Sequence, residues 1–248
     1  DIYGEGIGER TLGKALKNVR KKIIIITKSG ILDEKDNTNF SKAYIEKKIN
    51  KSIKNLQTDY LDGFQFHNVT SKDNIESSYN YLQQLKKNGK IRSIGFSSRD
   101  PFDAYKILKN YDFDFLQTGF SIFDQRLLSS KILDLKKKKR FKLLTRSPFN
   151  GGYLLNKKSN KFMYSNKFQL LVNQFIKKNK TDILLKNITF AESALKFCVS
   201  FTAISSIIVG MSSKKEIKKN INTLYGSTKL EQNWKKRIIN LYKKSNEK

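Results

Sequence analysis

One His and one Cys are present among 248 residues, so the side chains able to do chemistry form a short set. One Cys excludes an internal disulfide framework and any multi-Cys metal site. One His excludes a His-rich metal centre, and no metal is expected. The polar residues that stand out instead close successive apolar runs: Lys28, His67, Ser97 with Ser98, Gln117, and Arg146 with Ser147. Polar side chains at the C-terminal ends of consecutive strands are where a parallel barrel builds its active site. The lone imidazole, His67, falls at such an end; its competing reading is a satisfied core His.

These residues need elements to hold them. Residues 23–26 are a β-branched run between lysines and Ser29-Gly30, and read as a buried strand. Ile45, Ile49, Ile53 and Leu56 recur at helical spacing behind Ser41, a plausible N-cap. Further strands are expected at 61–66, 91–96, 113–120, 141–145 and 206–209. Helices are expected over 9–16, 75–85, 102–108 behind Pro101, 127–135, 191–198 and 217–224, with a last amphipathic segment around Trp234. Residues 149–180 are long, polar and uninformative.

Strand and helix alternate six times, which implies a parallel sheet with helices outside it. A doubly wound nucleotide-binding sheet should carry a Gly-rich turn after its first strand, and Thr27-Lys28-Ser29-Gly30 is not that turn. Periodicity alone leaves doubly wound sheets and (β/α)8 barrels both open. A complete barrel needs eight strands, and six are counted.

Composition narrows the class further. Hydrophobic residues are 38% of the chain, enough for a real core. The apolar runs are far shorter than the ~20 residues that span a bilayer. No cationic leader followed by an apolar stretch opens the sequence, so a cytoplasmic location and no membrane partner are expected. The net charge is +28, with 42 Lys against 8 Arg. Lysine excess of this kind, beside abundant Asn, Ile and Phe, suits an A/T-rich coding sequence and a solvated surface. No nucleic-acid motif accompanies it, and no nucleic-acid partner is expected.

The sequence resembles the aldo-keto reductase family along nearly its whole length. Tyr3-Gly4-Glu5-Gly6 with Glu9 and Leu12-Gly13-Lys14-Ala15-Leu16 is similar to the family's Y-G-x-G-x-S-E-x-x-L-G-x-A-L segment. Ile25-Ile26-Thr27-Lys28 is similar to the strand that ends in the family's Lys. Ser52-Ile53 through Thr58-Asp59-Tyr60-Leu61-Asp62 resembles S-L-x-x-L-x-T-D-Y-I-D, and Phe64-Gln65-Phe66-His67 the strand that ends in its His. Gly89-Lys90-Ile91-Arg92-Ser93-Ile94-Gly95-Phe96-Ser97 resembles G-K-I-R-x-I-G-V-S. The resemblance implies a (β/α)8 TIM-barrel fold in one domain over residues 1–248, with six parallel strands present and the first two missing. On that reading the chain is a piece of a longer product.

The implied reaction is reduction of an aldehyde or ketone by NAD(P)H. Carbonyl reduction needs hydride at carbon and a proton at oxygen. The resemblance places Tyr3 as proton donor, Lys28 beside it, and His67 as hydrogen-bond donor to the carbonyl. A Tyr hydroxyl, with a free pKa of about 10, is a weak acid at neutral pH; a nearby ammonium stabilises the phenolate and lowers that value. A neutral imidazole N–H orients the carbonyl and supports developing charge. The resemblance also places Ser97, Ser98 and Gln117 on the nicotinamide carboxamide, Arg146 as a planar group stacked on the ring, and Ser147, Phe149, Gly152 and Leu154 near the pyrophosphate. Gly210, Ser212, Glu216 and Asn220 match the adenine-end segment.

The sequence departs from the family in places. The Asp that pairs with the Lys would lie upstream of Asp1. Ser98 replaces the usual Asn, and Ser212 the usual Arg. NADP is the expected cofactor, with NAD possible, because Lys214 and Lys215 could replace the charge of that Arg while Glu216 opposes it. Two other readings stay open: a weakly active or inactive binding or regulatory protein on the same fold, and a basic surface that binds anionic polymers. The carbonyl substrate and the oligomeric state are not legible in the sequence.

Overall fold

The computed structural model describes residues 6–152, 189–225 and 232–246. Tyr3, Leu154 and most of the polar segment at 149–180 lie outside them. Six strands form one sheet in the order β1-β2-β3-β4-β5-β6: β1 (Ile26–Ser29), β2 (Gly63–Phe66), β3 (Ile94–Ser98), β4 (Phe115–Gly119), β5 (Lys142–Arg146) and β6 (Ser206–Ile208). The pairs β1–β2, β2–β3 and β5–β6 are parallel. Neighbours in space are neighbours in sequence, which is barrel order rather than the reversal of a doubly wound sheet.

Helices connect the strands. They are α1 (Ile7–Leu16), α2 (Lys42–Leu56), α3 (Glu76–Lys87), α4 (Pro101–Asn110), α5 (Arg126–Ser129), α6 (Ile132–Lys138), α7 (Phe190–Val199), α8 (Lys214–Tyr225) and α9 (Gln232–Asn246). Their starts follow local chemistry. Ser41 Oγ accepts the Tyr44 amide at 3.4 Å. Asp100 caps α4 ahead of Pro101, and Thr189 and Glu192 form a reciprocal capping box on α7. The expected helix over 127–135 is two helices, parted at Lys131, whose φ is 64°.

Chain contacts divide the molecule into two compact units, Asp1–Gln117 with Leu135–Lys142, and Thr118–Asp134 with Leu143–Lys248. In the first, one sheet face is covered by helices. Phe64, Phe66 and Phe96 there are wholly buried, as are Ile45, Ile49 and Leu82 from α2 and α3. The Phe66 and Phe113 rings meet edge-on at 6.2 Å. In the second unit, Phe120, Phe197 and Phe201 form a similar cluster, with Lys235 Nζ 3.7 Å above the Phe201 ring.

The opposite sheet face is built from small and polar residues. Strand alternation places Gly63, Gln65 and His67 on one face, and register adds Ile26 and Lys28 from β1 and Gly95 and Ser97 from β3. Glycine is required at 95, where a Cβ would come within 2.3 Å of the Phe115 ring. Among the described residues, no helix is long and apolar enough to cross a membrane, and no group of three His, Cys, Asp or Glu could hold a metal ion.

Candidate active site

Lys28 lies in β1, one residue from its C-terminal end, and is half-buried. His67 follows β2 directly; its backbone N–H donates to the Ser29 carbonyl at 2.8 Å, and the residue is 7% exposed. Register pairs Lys28 with Gln65, two residues before His67. Lys28 and His67 therefore stand at adjacent strand ends on one face of the sheet. The turn after His67 is tight: Asn68 has φ 60°, and its N–H donates to Ser97 Oγ at 2.9 Å. Ser97 is thereby fixed to the rim of β2 with its hydroxyl proton still available.

Gln117 completes this group from β4. Its Oε1 accepts from Gln65 Nε2 at 2.6 Å, and both side chains are 4% exposed. Gln65 was not singled out in the sequence. The available signal was period-two alternation, which puts it on the face of His67.

Ser98 is set apart from these residues. It sits on the other face of β3, is 2% exposed, and donates its hydroxyl to the Asp100 carbonyl at 3.1 Å. The hydroxyl kept at this position serves the turn into α4.

Glu9 anchors the helix that follows the Tyr3 segment. Its Oε1 accepts from Thr27 Oγ1 at 2.7 Å and its Oε2 from Asn55 Nδ2 at 3.0 Å. Burial opposes its ionisation, but hydrogen bonds from Ser52, Asn55 and Thr27 outweigh it and hold the carboxyl below the usual range. Thr27 adjoins Lys28, so α1 is tied to the strand that carries the ammonium.

The second unit holds the other predicted residues. Arg146 ends β5 and donates from Nη1 to Ser147 Oγ at 3.3 Å. Ser147 has φ 62° and Asn150 φ 50°, and the chain doubles back through bonds from Asn150 N to Ser147 O and from Gly152 N to Phe149 O. Gly152, at φ 87°, occupies backbone space that favours glycine. Phe149, Gly210, Glu216 and Asn220 line one cleft, together with Glu192 and Lys219, neither of which the sequence had marked. At the start of α8, Glu216 Oε2 accepts the Ser212 N–H at 2.6 Å and also bonds the Ser212 hydroxyl, while Ser213 Oγ accepts the Glu216 N–H at 3.2 Å. These bonds hold the Glu216 carboxyl below its ordinary range.

In the first unit Ser97 and Gln117 bring polar side chains to the strand ends that carry Lys28 and His67; in the second, the cleft beside α8 combines the Phe149 ring with the carboxylates of Glu192 and Glu216. A parallel sheet in barrel order, with Lys and His at adjacent strand ends, defines the fold as a barrel-type α/β protein. The family model of the aldo/keto reductase family matches residues 1–239, and the chain belongs to that family. It is 29% identical over 234 residues to the uncharacterized oxidoreductase YqkF of Bacillus subtilis (strain 168), covering 89% of this chain and 74% of that protein. It is 30% identical over 169 residues to the aldo-keto reductase YhdN of the same organism, covering 65% of this chain and half of that protein. The holo form of aldo-keto reductase AKR11C1 from Bacillus halodurans superposes with a TM-score of 0.80 at 29% identity, covering 97% of this chain and 80% of that one.

Proposed function

We propose that the protein reduces a small aldehyde or ketone, with Tyr3, Lys28 and His67 acting on the carbonyl oxygen. The observation that carries this is the placement of Lys28 and His67 on one face of two paired strands, with Ser97 and Gln117 on the next two strands. The reduced nicotinamide supplies hydride when bound. The Tyr3 hydroxyl gives its proton to the developing alkoxide, and the Lys28 ammonium stabilises the phenolate left behind. His67 donates an N–H to the same oxygen and fixes the carbonyl for attack. Ser97 and Gln117 orient the carboxamide.

The proposed dinucleotide is NAD(H), which reverses the weighting drawn from the sequence. Two carboxylates, Glu192 and Glu216, and one ammonium, Lys219, line the cleft beside α8. Lys214 and Lys215 are exposed and outside that lining. The Ser212 N–H and hydroxyl already bond Glu216, so the start of α8 presents a carboxylate where a 2′-phosphate would need donors. Carboxylates suit a free ribose diol instead.

Turnover with each cofactor and a panel of aldehydes tests both parts. Tyr3→Phe should lower kcat by about 10²–10⁴-fold, and near wild-type turnover would reject the role. The chain should bind 5′-ADP more tightly than 2′,5′-ADP by calorimetry, and Glu216→Gln should narrow the gap. Tighter binding of 2′,5′-ADP by the unaltered chain would overturn the assignment of NAD(H).

A further inference from the structure

We propose that Gln65 is a positioning residue that fixes which edge of the Gln117 amide faces the cofactor. The proposal rests on the reading of Gln117 as a holder of the nicotinamide carboxamide. A primary amide has an acceptor edge and a donor edge of nearly the same shape, and its hydrogen-bond partners decide which way it lies. Gln65 Nε2 donates to Gln117 Oε1 at 2.6 Å in a site where both residues are 4% exposed. With its oxygen engaged, Gln117 presents N–H groups to a ligand and binds the carboxamide oxygen.

The bond spans a strand. Gln65 lies in β2 and Gln117 in β4, and the residue of β3 in register with Gln65 is Gly95. The space that a side chain at 95 would take is filled by the Phe115 ring of β4, two residues before Gln117. On its other side the register neighbour of Gln65 is Lys28. Gln65 Oε1 is buried, with no hydrogen-bond partner among the described residues, so the bond to Gln117 is what sets how the two amides lie. Gln65 thus orients Gln117.

The test uses the full chain and two probes, NADH and its 3-acetylpyridine analogue, which keeps the carbonyl oxygen but loses the amide N–H. The readout is the ratio of the two Kd values by fluorescence titration. Gln65→Met fills the same volume without a donor and should raise the Kd for NADH about 3–10-fold, with kcat changing less than KM. Gln65→Glu supplies only acceptors, so Gln117 must turn its NH₂ inward and its oxygen towards the ligand. That variant should raise the analogue-to-NADH ratio at least about 5-fold over wild type. An unchanged ratio in Gln65→Glu, or an unchanged Kd in folded Gln65→Met, would overturn the proposal. Gln117→Ala separates the two levels: if it leaves the Kd for NADH unaltered, the carboxamide reading itself fails.

Discussion

Asp62 is 9% exposed, accepts the Ile25 amide at 3.0 Å, and pairs with Arg20 at 2.7 Å and Arg92 at 3.1 Å. The two guanidiniums lie 4.1 and 4.0 Å from the centroid of the Tyr60 ring. Burial disfavours the carboxylate, but the Ile25 amide and both arginines outweigh it and hold the carboxyl below the usual range. Asp62→Asn leaves Arg20, 12% exposed, without its counter-charge. Loss of one partner from a buried pair costs about 3–5 kcal/mol, so Tm should fall by roughly 10 °C at neutral pH. The sign of the pH effect follows from the lowered value. The carboxylate's contribution is present above the unfolded pKa of about 3.9 and is lost as pH falls through the folded one. Thermal melts of wild type and Asp62→Asn should therefore converge between about pH 5 and strongly acid solution (roughly pH 2), and a constant gap would contradict the argument. This clamp also explains what was legible. Thr58, Tyr60, Asp62 and Arg92 belong to the segments that mark the family, and they hold the scaffold together. Lys28 and His67 were readable because each ends an apolar run. Gln65 was not, because a Gln inside such a run carries no signal until register shows its neighbours.

Helix α1 meets α2 at Gly13, where an added Cβ would lie 2.6 Å from the Asn55 carbonyl oxygen and 2.7 Å from the Leu56 carbonyl carbon. Both are backbone atoms and cannot swing aside. Gly13→Ala must push α1 off α2 and stretch the bonds from Thr27 and Asn55 to Glu9. The cost of such overpacking is about 1–3 kcal/mol. Gly8 in the same helix faces open space, with no atom within 4 Å of where a Cβ would stand, so Gly8→Ala should gain up to about 1 kcal/mol from helix propensity. Opposite shifts in urea midpoint would bear out the crossing, whereas equal shifts would refute it. The helices were readable from their periodicity and caps, but the strands were offset. Residues 23–26 read as a strand, yet β1 is Ile26–Ser29 and Ile24 is 80% exposed. The strands at 61–66 and 91–96 likewise begin later, at Gly63 and Ile94, with only an isolated bridge between Leu61 and Ile91 ahead of them. Apolar density marks where strands pack, whereas pairing in β1 and β3 runs on into polar residues, Lys28 with Ser29 and Ser97 with Ser98.

Across the whole molecule the formal charge is +28, and part of it is already engaged by the fold. Lys136 Nζ donates to the Phe141 carbonyl at 2.9 Å, and Lys139 Nζ bonds both the Leu108 carbonyl and Asp112 at 2.8 Å. Lys136 and Lys139 thus fasten the end of α6 to its neighbours, while Lys137, Lys138 and Arg140 of the same run are exposed. Lys214, Lys215, Lys218 and Lys219 are exposed on α8. Charge of one sign that is spread in this way destabilises the compact state through self-repulsion, and salt screens it. The screening length falls from about 20 Å at 20 mM to about 5 Å at 300 mM. Over that range Tm should rise by roughly 2–6 °C, the equivalent of about 1–2 kcal/mol. The same diffuse charge should hold the protein on heparin at low salt and release it well before about 0.3 M, because lysines scattered over a surface act through counterion release alone. A Tm that falls with added salt would show that attractive pairs dominate, and retention on heparin beyond about 0.3 M would point to an organised anion-binding surface that a scattered lysine excess does not provide.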